Sequence, residues 1–213
     1  MTKDEVLGRL LAGRAVAVIR MKDADRLAAV AAALGRGGVK AVEVTMTVPG
    51  AVGIIREQAR AKAEGALVGA GTVLDAATAA EVIAAGADFV VSPVFDRDTV
   101  AACREAGVVV APGAFTPTEI VAAWRAGADL VKVFPATSLG PQFVRDMRGP
   151  LPEVRLMPTG GVTVENARDF LAAGAACVGL GAALVDAKAV EAGDWAAIEA
   201  RARRLVESLG GPA

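Results

Sequence analysis

Histidine and tyrosine are missing from all 213 residues. Without imidazole there is no Ser-His-Asp triad, no Cys-His pair and no imidazole-ligated metal site. An enzyme made from this chain must move protons with Glu, Asp, Lys, water or backbone groups. Cysteine is nearly absent too. Cys103 and Cys177 lie far apart in apolar surroundings, and there is no C-x-x-C, so both read as small buried thiols rather than a disulfide. Amides are scarce, with Asn166, Gln58 and Gln142 the whole complement. That is a trait of heat-adapted proteins and equally of GC-biased composition. No apolar run reaches ~18 residues, so no transmembrane helix is expected. The stretch from Leu10 to Ile19 is interrupted by Arg14, unlike a cleavable signal. A net charge of −1 provides no broad field for nucleic acid or an anionic membrane. The expectation is a cytoplasmic protein of a reducing compartment, with neither nucleic acid nor membrane as partner.

What is present is apolar. Hydrophobic residues make up 54% of the chain, charged residues 22%, and glycine numbers 24, which suits a sizeable core and excludes disorder. At ~150 residues per domain, one large α/β domain fits the length as well as two small ones. A phrase recurs in which Gly and a small residue lead into a short β-branched run. It is found at Gly38-Val39-Lys40-Ala41-Val42-Glu43-Val44, at Gly65-Ala66-Leu67-Val68-Gly69, at Gly86-Ala87-Asp88-Phe89-Val90-Val91 and at Gly107-Val108-Val109-Val110. It returns at Gly127-Ala128-Asp129-Leu130-Val131-Lys132-Val133 and at Gly174-Ala175-Ala176-Cys177-Val178. An Ala-rich amphipathic segment precedes each Gly, which then reads as the residue just past a helix. The apolar run after it reads as a parallel strand buried on both faces.

Gly65, Gly86, Gly107 and Gly127 are 21, 21 and 20 residues apart, the length of one compact strand-loop-helix unit. Strands are expected at 15–20, 40–46, 66–70, 88–92, 108–111, 129–134, 154–158 and 175–180. Helices are expected to begin near Asp23, Pro49, Asp75, Asp96, Thr116, Gly140 and Thr163. Asp23, Asp75, Thr116 and Thr163 resemble N-caps, Pro49 and Pro117 suit a first turn, and Thr116-Pro117-Thr118-Glu119 fits a capping box. An extra helix leads at 2–12 and another closes at 194–209. Eight such units predict a single (β/α)8 TIM barrel spanning 1–213, with 210–213 a frayed tail. An open doubly wound sheet is the alternative, but no G-x-G-x-x-G opens the first helix.

Catalytic groups of a barrel sit at the C-terminal ends of its strands. Lys132 lies inside an apolar run, with Asp129 the only charge nearby. A buried ammonium must find a partner or shed its proton, and a neutral lysine amine is a nucleophile. Glu43 sits in Ala-Val-Glu-Val-Thr, where period two puts Ala41, Glu43 and Thr45 on one face and Val42 and Val44 on the other. The valines suit the helices, which aims Glu43 inward, toward Lys132 and Arg20. The plain alternatives are a Lys132 with its head in water, a structural Glu43 ion pair and a surface Arg20. Three charges in one mouth favour chemistry. Gly160 and Gly161 follow strand seven, and Gly179 and Gly181 strand eight, the two positions where such barrels cradle phosphate on backbone N–H groups. A lysine nucleophile, one carboxylate and a phosphate cradle suggest class I aldol chemistry. The lysine forms an imine with a ketone, the iminium accepts electrons, and the carboxylate moves protons. No metal site is visible, so no metal and no separate cofactor are expected.

At Val18-Ile19-Arg20, Val42-Glu43-Val44-Thr45, Gly69-Ala70-Gly71-Thr72-Val73, Val91-Ser92-Pro93 and Pro112-Gly113 the chain resembles the 2-keto-3-deoxy-6-phosphogluconate aldolases. These share their fold and often their activity with 4-hydroxy-2-oxoglutarate aldolases. The likeness continues through Thr116-Pro117-Thr118-Glu119, Lys132-Val133-Phe134-Pro135-Ala136, Gly140-Pro141 and Pro158-Thr159-Gly160-Gly161-Val162, across essentially the whole length. The resemblance implies that Lys132 forms the Schiff base, that Glu43 is the general acid/base, and that Arg20 beside them helps hold the amine neutral. It implies that Thr72, Pro93 and Thr159 line the pyruvyl pocket, with Phe134 packed against it, and that Gly160, Gly161, Gly179 and Gly181 bind phosphate. It also implies a homotrimer acting on 2-keto acids or phosphorylated sugar acids. The chain departs from the family in two places. Thr47 stands where many members carry an Arg that meets a substrate anion, and Ala182 where a Ser hydroxyl commonly meets the phosphate. Each loss weakens anion binding by ~1–3 kcal/mol, which leaves the choice of substrate open. Two other classes stay in view. One is a metal-free phosphosugar isomerase or epimerase using Glu43 and Lys132 as acid and base. The other is a non-catalytic barrel that binds a phosphometabolite.

Overall fold

The computed structural model describes residues 1–21 and 23–210. Helix α1 (Lys3–Gly13) leads, followed by strands β1 (Ala15–Ile19), β2 (Ala41–Thr45), β3 (Leu67–Gly71), β4 (Phe89–Val91), β5 (Val109–Ala111), β6 (Gly113–Ala114), β7 (Val131–Val133), β8 (Leu156–Pro158) and β9 (Val178–Leu180). Between them run α2 (Leu27–Arg36), α3 (Ala51–Ala61), α4 (Ala76–Ala84), α5 (Arg97–Glu105), α6 (Pro117–Arg125), α7 (Gly140–Arg148) and α8 (Ala167–Ala172). The last helices are α9 (Ala187–Ala192) and α10 (Trp195–Ser208). The architecture is α/β with parallel strands only. One sheet has the order β5-β4-β3-β2-β1-β9, and the other β6-β7-β8. Pro112 separates β5 from β6, where the sequence predicts one uninterrupted strand ending at 111. Proline has no N–H for a ladder.

The recurring glycine phrase does what its chemistry suggests. At Gly86 (φ 98°) and Gly127 (φ 97°) the backbone is left-handed just past α4 and α6, and their N–H groups return to Ile83 and Trp124. The two faces of the strands bury different sets. Val42, Val44, Val90, Val110, Val131 and Val178 pack with Leu34, Ile55, Val82 and Ile120 of the helices. Val16, Ala41, Leu67, Phe89, Val109, Leu130, Met157 and Cys177 gather on the opposite, inner face with Val6 and Leu10 of α1. Both cysteines are free and fully buried, and burial pushes their thiols up, to about 11 for Cys103 and about 12 for Cys177.

Caps fall as expected at Asp75 and Thr116, the latter in a full capping box with Glu119, and Asp96, expected as a helix start, also caps its helix. Three helix starts differ. Pro49 lies outside α3 because Gly50 takes the cap in a left-handed conformation (φ 70°). Asp23 binds the Asp25 N–H and leads into a 3-10 turn at Ala24–Arg26, so α2 begins only at Leu27. Thr163 and Asn166 exchange side-chain and backbone hydrogen bonds, but the helix behind that turn starts at Ala167. α9 is an addition to the expected set. Of the tail, Gly210 is described, and 211–213 lie outside the described residues.

Candidate active site

The C-terminal ends of the strands gather the polar residues. Glu43, in the middle of β2, is 1% exposed, and Lys132, in the middle of β7, is 5% exposed. Val42 and Val44 face the helices, so Glu43 projects to the inner face as its period predicts. Neither Glu43 oxygen has a hydrogen-bond partner among the described residues. Burial pushes its carboxyl above the ordinary range, against the pull of Lys132 first and then Arg20. The pair is thus close enough to interact, yet no ion pair forms among the described residues. Asp129, the charge nearest Lys132 in sequence, precedes β7, and its carboxylate is taken up by Lys3 of α1 at 3.0 Å and by the Val110 N–H. Among the described residues Lys132 has no fixed anion, and its Nζ lies 5.0 Å from the centroid of the half-buried Phe134 ring.

Arg20 follows β1 and is exposed, acting on Glu43 only through its charge. Thr159 follows β8, buried, its hydroxyl donating to the Met157 carbonyl at 3.4 Å. Its N–H donates to Val133, and its carbonyl accepts from Ala136, which holds it beside β7. Pro93 follows β4, half-buried, with its carbonyl group against Gly113. Thr72 follows β3 with φ 59°, an uncommon state for a β-branched residue and a local store of strain. Thr47 is exposed. It donates its hydroxyl proton to Thr45 Oγ1 (2.8 Å), because Thr45 spends its own on the Ile19 carbonyl (3.1 Å). Gly160 and Gly161 form a left-handed pair (φ 85° and 75°) in the loop after β8, and Gly181 follows β9. Gly179 differs from these three. It lies inside β9, bridged to Thr159, and the Thr159 hydroxyl occupies the space a side chain would need.

Among the described residues the inner face thus carries a buried amine with no ion pair and a buried carboxyl with no hydrogen bond, with threonine- and glycine-bearing loops at the strand ends. A model of the family described as KDPG and KHG aldolase matches residues 6–201. The chain belongs to that family. It is 40% identical over 200 residues to the KHG/KDPG aldolase of Escherichia coli (strain K12), covering 93% of each chain. It is 38% identical over 199 residues to the 2-dehydro-3-deoxy-phosphogluconate aldolase of Dickeya dadantii (strain 3937), covering 92% of each. A crystal structure of KDPG aldolase from Legionella pneumophila, with pyruvate captured as a covalent carbinolamine, superposes with a TM-score of 0.87 at 28% identity. The match covers 94% of this chain and 97% of that one. The protein is an aldolase, an aldehyde-lyase.

Thr45 and Gly71, to which the sequence assigns no role of their own, also contribute. Thr45 is fully buried and polar, and it ties β1 to β2. Gly71 lies against the carboxyl group of Glu43. A glycine inside a strand often marks a close approach of other atoms, and that was the available signal.

Proposed function

We propose that the chain is a class I aldolase cleaving 2-keto-3-deoxy-6-phosphogluconate to pyruvate and glyceraldehyde 3-phosphate, and 4-hydroxy-2-oxoglutarate to pyruvate and glyoxylate. The observation that carries this is the pairing of a buried, anion-free Lys132 with a buried, unpartnered Glu43. The Lys132 amine adds to the C2 carbonyl, and the carbinolamine loses water to give an iminium. Glu43 takes the proton of the C4 hydroxyl as the C3–C4 bond breaks. The bonding pair enters the iminium as an enamine, and the aldehyde leaves. Protonation at C3 and hydrolysis then release pyruvate and restore the amine. The lysine itself serves as electron sink, so the scheme calls for no metal and no dissociable cofactor. Arg20 disfavours a charged amine from the rim. Thr72, Pro93, Thr159, Thr47 and Phe134 surround the keto acid, and Gly160, Gly161, Gly179 and Gly181 supply backbone donors for a phosphate.

The same proposal takes the whole chain as one domain, a closed (β/α)8 barrel. Supporting closure, Asp129 and Lys132 donate backbone N–H groups to Val110 and Pro112 at one seam of the two sheets. At the other seam Ala176 donates to Leu156, and Thr159 bridges to Gly179. Among the described residues no helix is long and apolar enough to cross a membrane, and the two unpaired thiols suit a cytoplasmic setting. Incubation with pyruvate and borohydride followed by peptide mapping tests the chemistry. The expected result is an adduct on Lys132 with loss of activity, and an unmodified Lys132 overturns the proposal.

A further inference from the structure

Gly71 lies against the acid/base group and has no chemistry of its own. It sits in β3 and pairs in register with Thr45, two residues along β2 from Glu43. Its backbone is ordinary strand and does not demand glycine, unlike that of Gly160 or Gly161. What demands glycine is space. A Cβ placed on Gly71 would coincide with Oε1 of Glu43 and crowd its Cδ and Cγ. Gly69, one inward position earlier on the same strand, plays the corresponding part for the Phe89 ring. β3 thus gives up two side chains so that its neighbours on either side can fill the interior.

The Glu43 carboxyl accepts no hydrogen bond among the described residues, so no donor fixes its position. Shape holds it, together with the charges of Lys132 and Arg20, and the Gly71 face is the wall that would move it. We propose that Gly71 is a positioning residue for the aldol reaction: its missing side chain forms the niche that sets where the Glu43 carboxyl stands relative to Lys132. This rests on Glu43 being the acid/base group. The atoms a new methyl group would meet are the end of a flexible side chain, not backbone. Gly71→Ala therefore displaces the carboxyl before it displaces the strand. Displacement of a catalytic group by ~1 Å can cost on the order of 100-fold in rate.

The test is a set of variants assayed for cleavage and for pyruvate trapping. Gly71→Ala should lower kcat at least tenfold with KM little changed, shift the pH–rate limb of the carboxyl, and still trap pyruvate on Lys132. Glu43→Asp, one methylene shorter, lowers kcat in the native background but should raise it in the Gly71→Ala background. Wild-type kcat and pH profile in Gly71→Ala, or additive losses in the double variant, overturn the inference. If Gly71→Ala folds poorly, thermal unfolding in a Glu43→Ala background decides. There the niche is empty, and the added methyl should no longer lower Tm, whereas an equal loss in both backgrounds overturns the proposal. Glu43→Gln separates the two levels. An active Glu43→Gln refutes the acid/base role and with it the inference, whereas an inactive Glu43→Gln beside an unaltered Gly71→Ala refutes the role of Gly71 alone.

Discussion

A carboxyl that is 1% exposed and accepts no hydrogen bond among the described residues is held by the fold at a cost. Burial raises Glu43 above its ordinary value of ~4.3, so the folded protein binds that proton more tightly than the unfolded chain does. The sign follows. The stability associated with this group is complete below ~4.3 and is lost as pH climbs through the raised value. Glu43→Met, of similar size and without charge, should therefore be more stable than the parent at pH 7 by ~1–3 kcal/mol. Its advantage should shrink toward pH 4, as urea unfolding across that range would record; an advantage independent of pH contradicts the assignment. Glu43→Gln should slow cleavage by ~10²–10⁴-fold in steady-state assays. Lys132 and Glu43 were legible in the sequence because a charge inside a β-branched run is conspicuous. Arg20 was legible as a strand end, but not its exposure, since one chain segment does not reveal what covers it. Gly71 was hidden because its contribution is empty volume, defined by a side chain on another strand.

At the scale of elements, one device appears twice. Asp88 donates its N–H to the Val68 carbonyl and accepts the Val68 N–H on its side chain, while Lys62 neutralises it. Asp129 treats Val110 in the same way, with Lys3 as counter-ion. Each aspartate locks the entry of its strand to the strand before it. The second stands at the seam between the two sheets, and Arg155 donates to its carbonyl as well. Asp129→Ala leaves the Val110 N–H and the Lys3 ammonium without this partner and should cost about 2–3 kcal/mol. Differential scanning calorimetry would register this as ~4–12 °C in Tm at 2–4 °C per kcal/mol for a chain this size. A change under 1 °C would show that the lock is redundant. The Gly-Ala-Asp phrase made the strand entries easy to locate, because a left-handed glycine ends one helix and sets the next strand at a fixed offset. The helix starts behind Pro49, Asp23 and Thr163 were less legible. Competing local turns absorb the first residues there, and the choice between turn and helix is made by packing.

Taken whole, the molecule packs one apolar cluster between the inner face of its parallel strands and α1, and a second between their other face and the helices that follow. Six strands could be located from the recurring glycine phrase and two more from the apolar runs at 15–20 and 154–158, whereas the break at Pro112 and the two-sheet hydrogen bonding depend on contacts between strands. Leu74, Val94 and Phe115 remain exposed at 53%, 49% and 41%, on the successive loops that follow β3, β4 and β6. We propose that the chain forms the homotrimer its family resemblance implies, with these loops as a surface for a neighbouring copy. Leu74→Asp combined with Phe115→Asp should give folded monomers in sedimentation velocity, and a species of unchanged mass would place the contact elsewhere. α1 presses Val6 and Leu10 against the inner side chains, so apolar packing fills the interior on the α1 side of Lys132. On the proposed chemistry the keto-acid half alone is tethered to that lysine, so the aldehyde is free to leave before the imine is hydrolysed. A burst of aldehyde ahead of pyruvate in rapid-quench assays is the expected outcome, and equal release of both from the first turnover contradicts it.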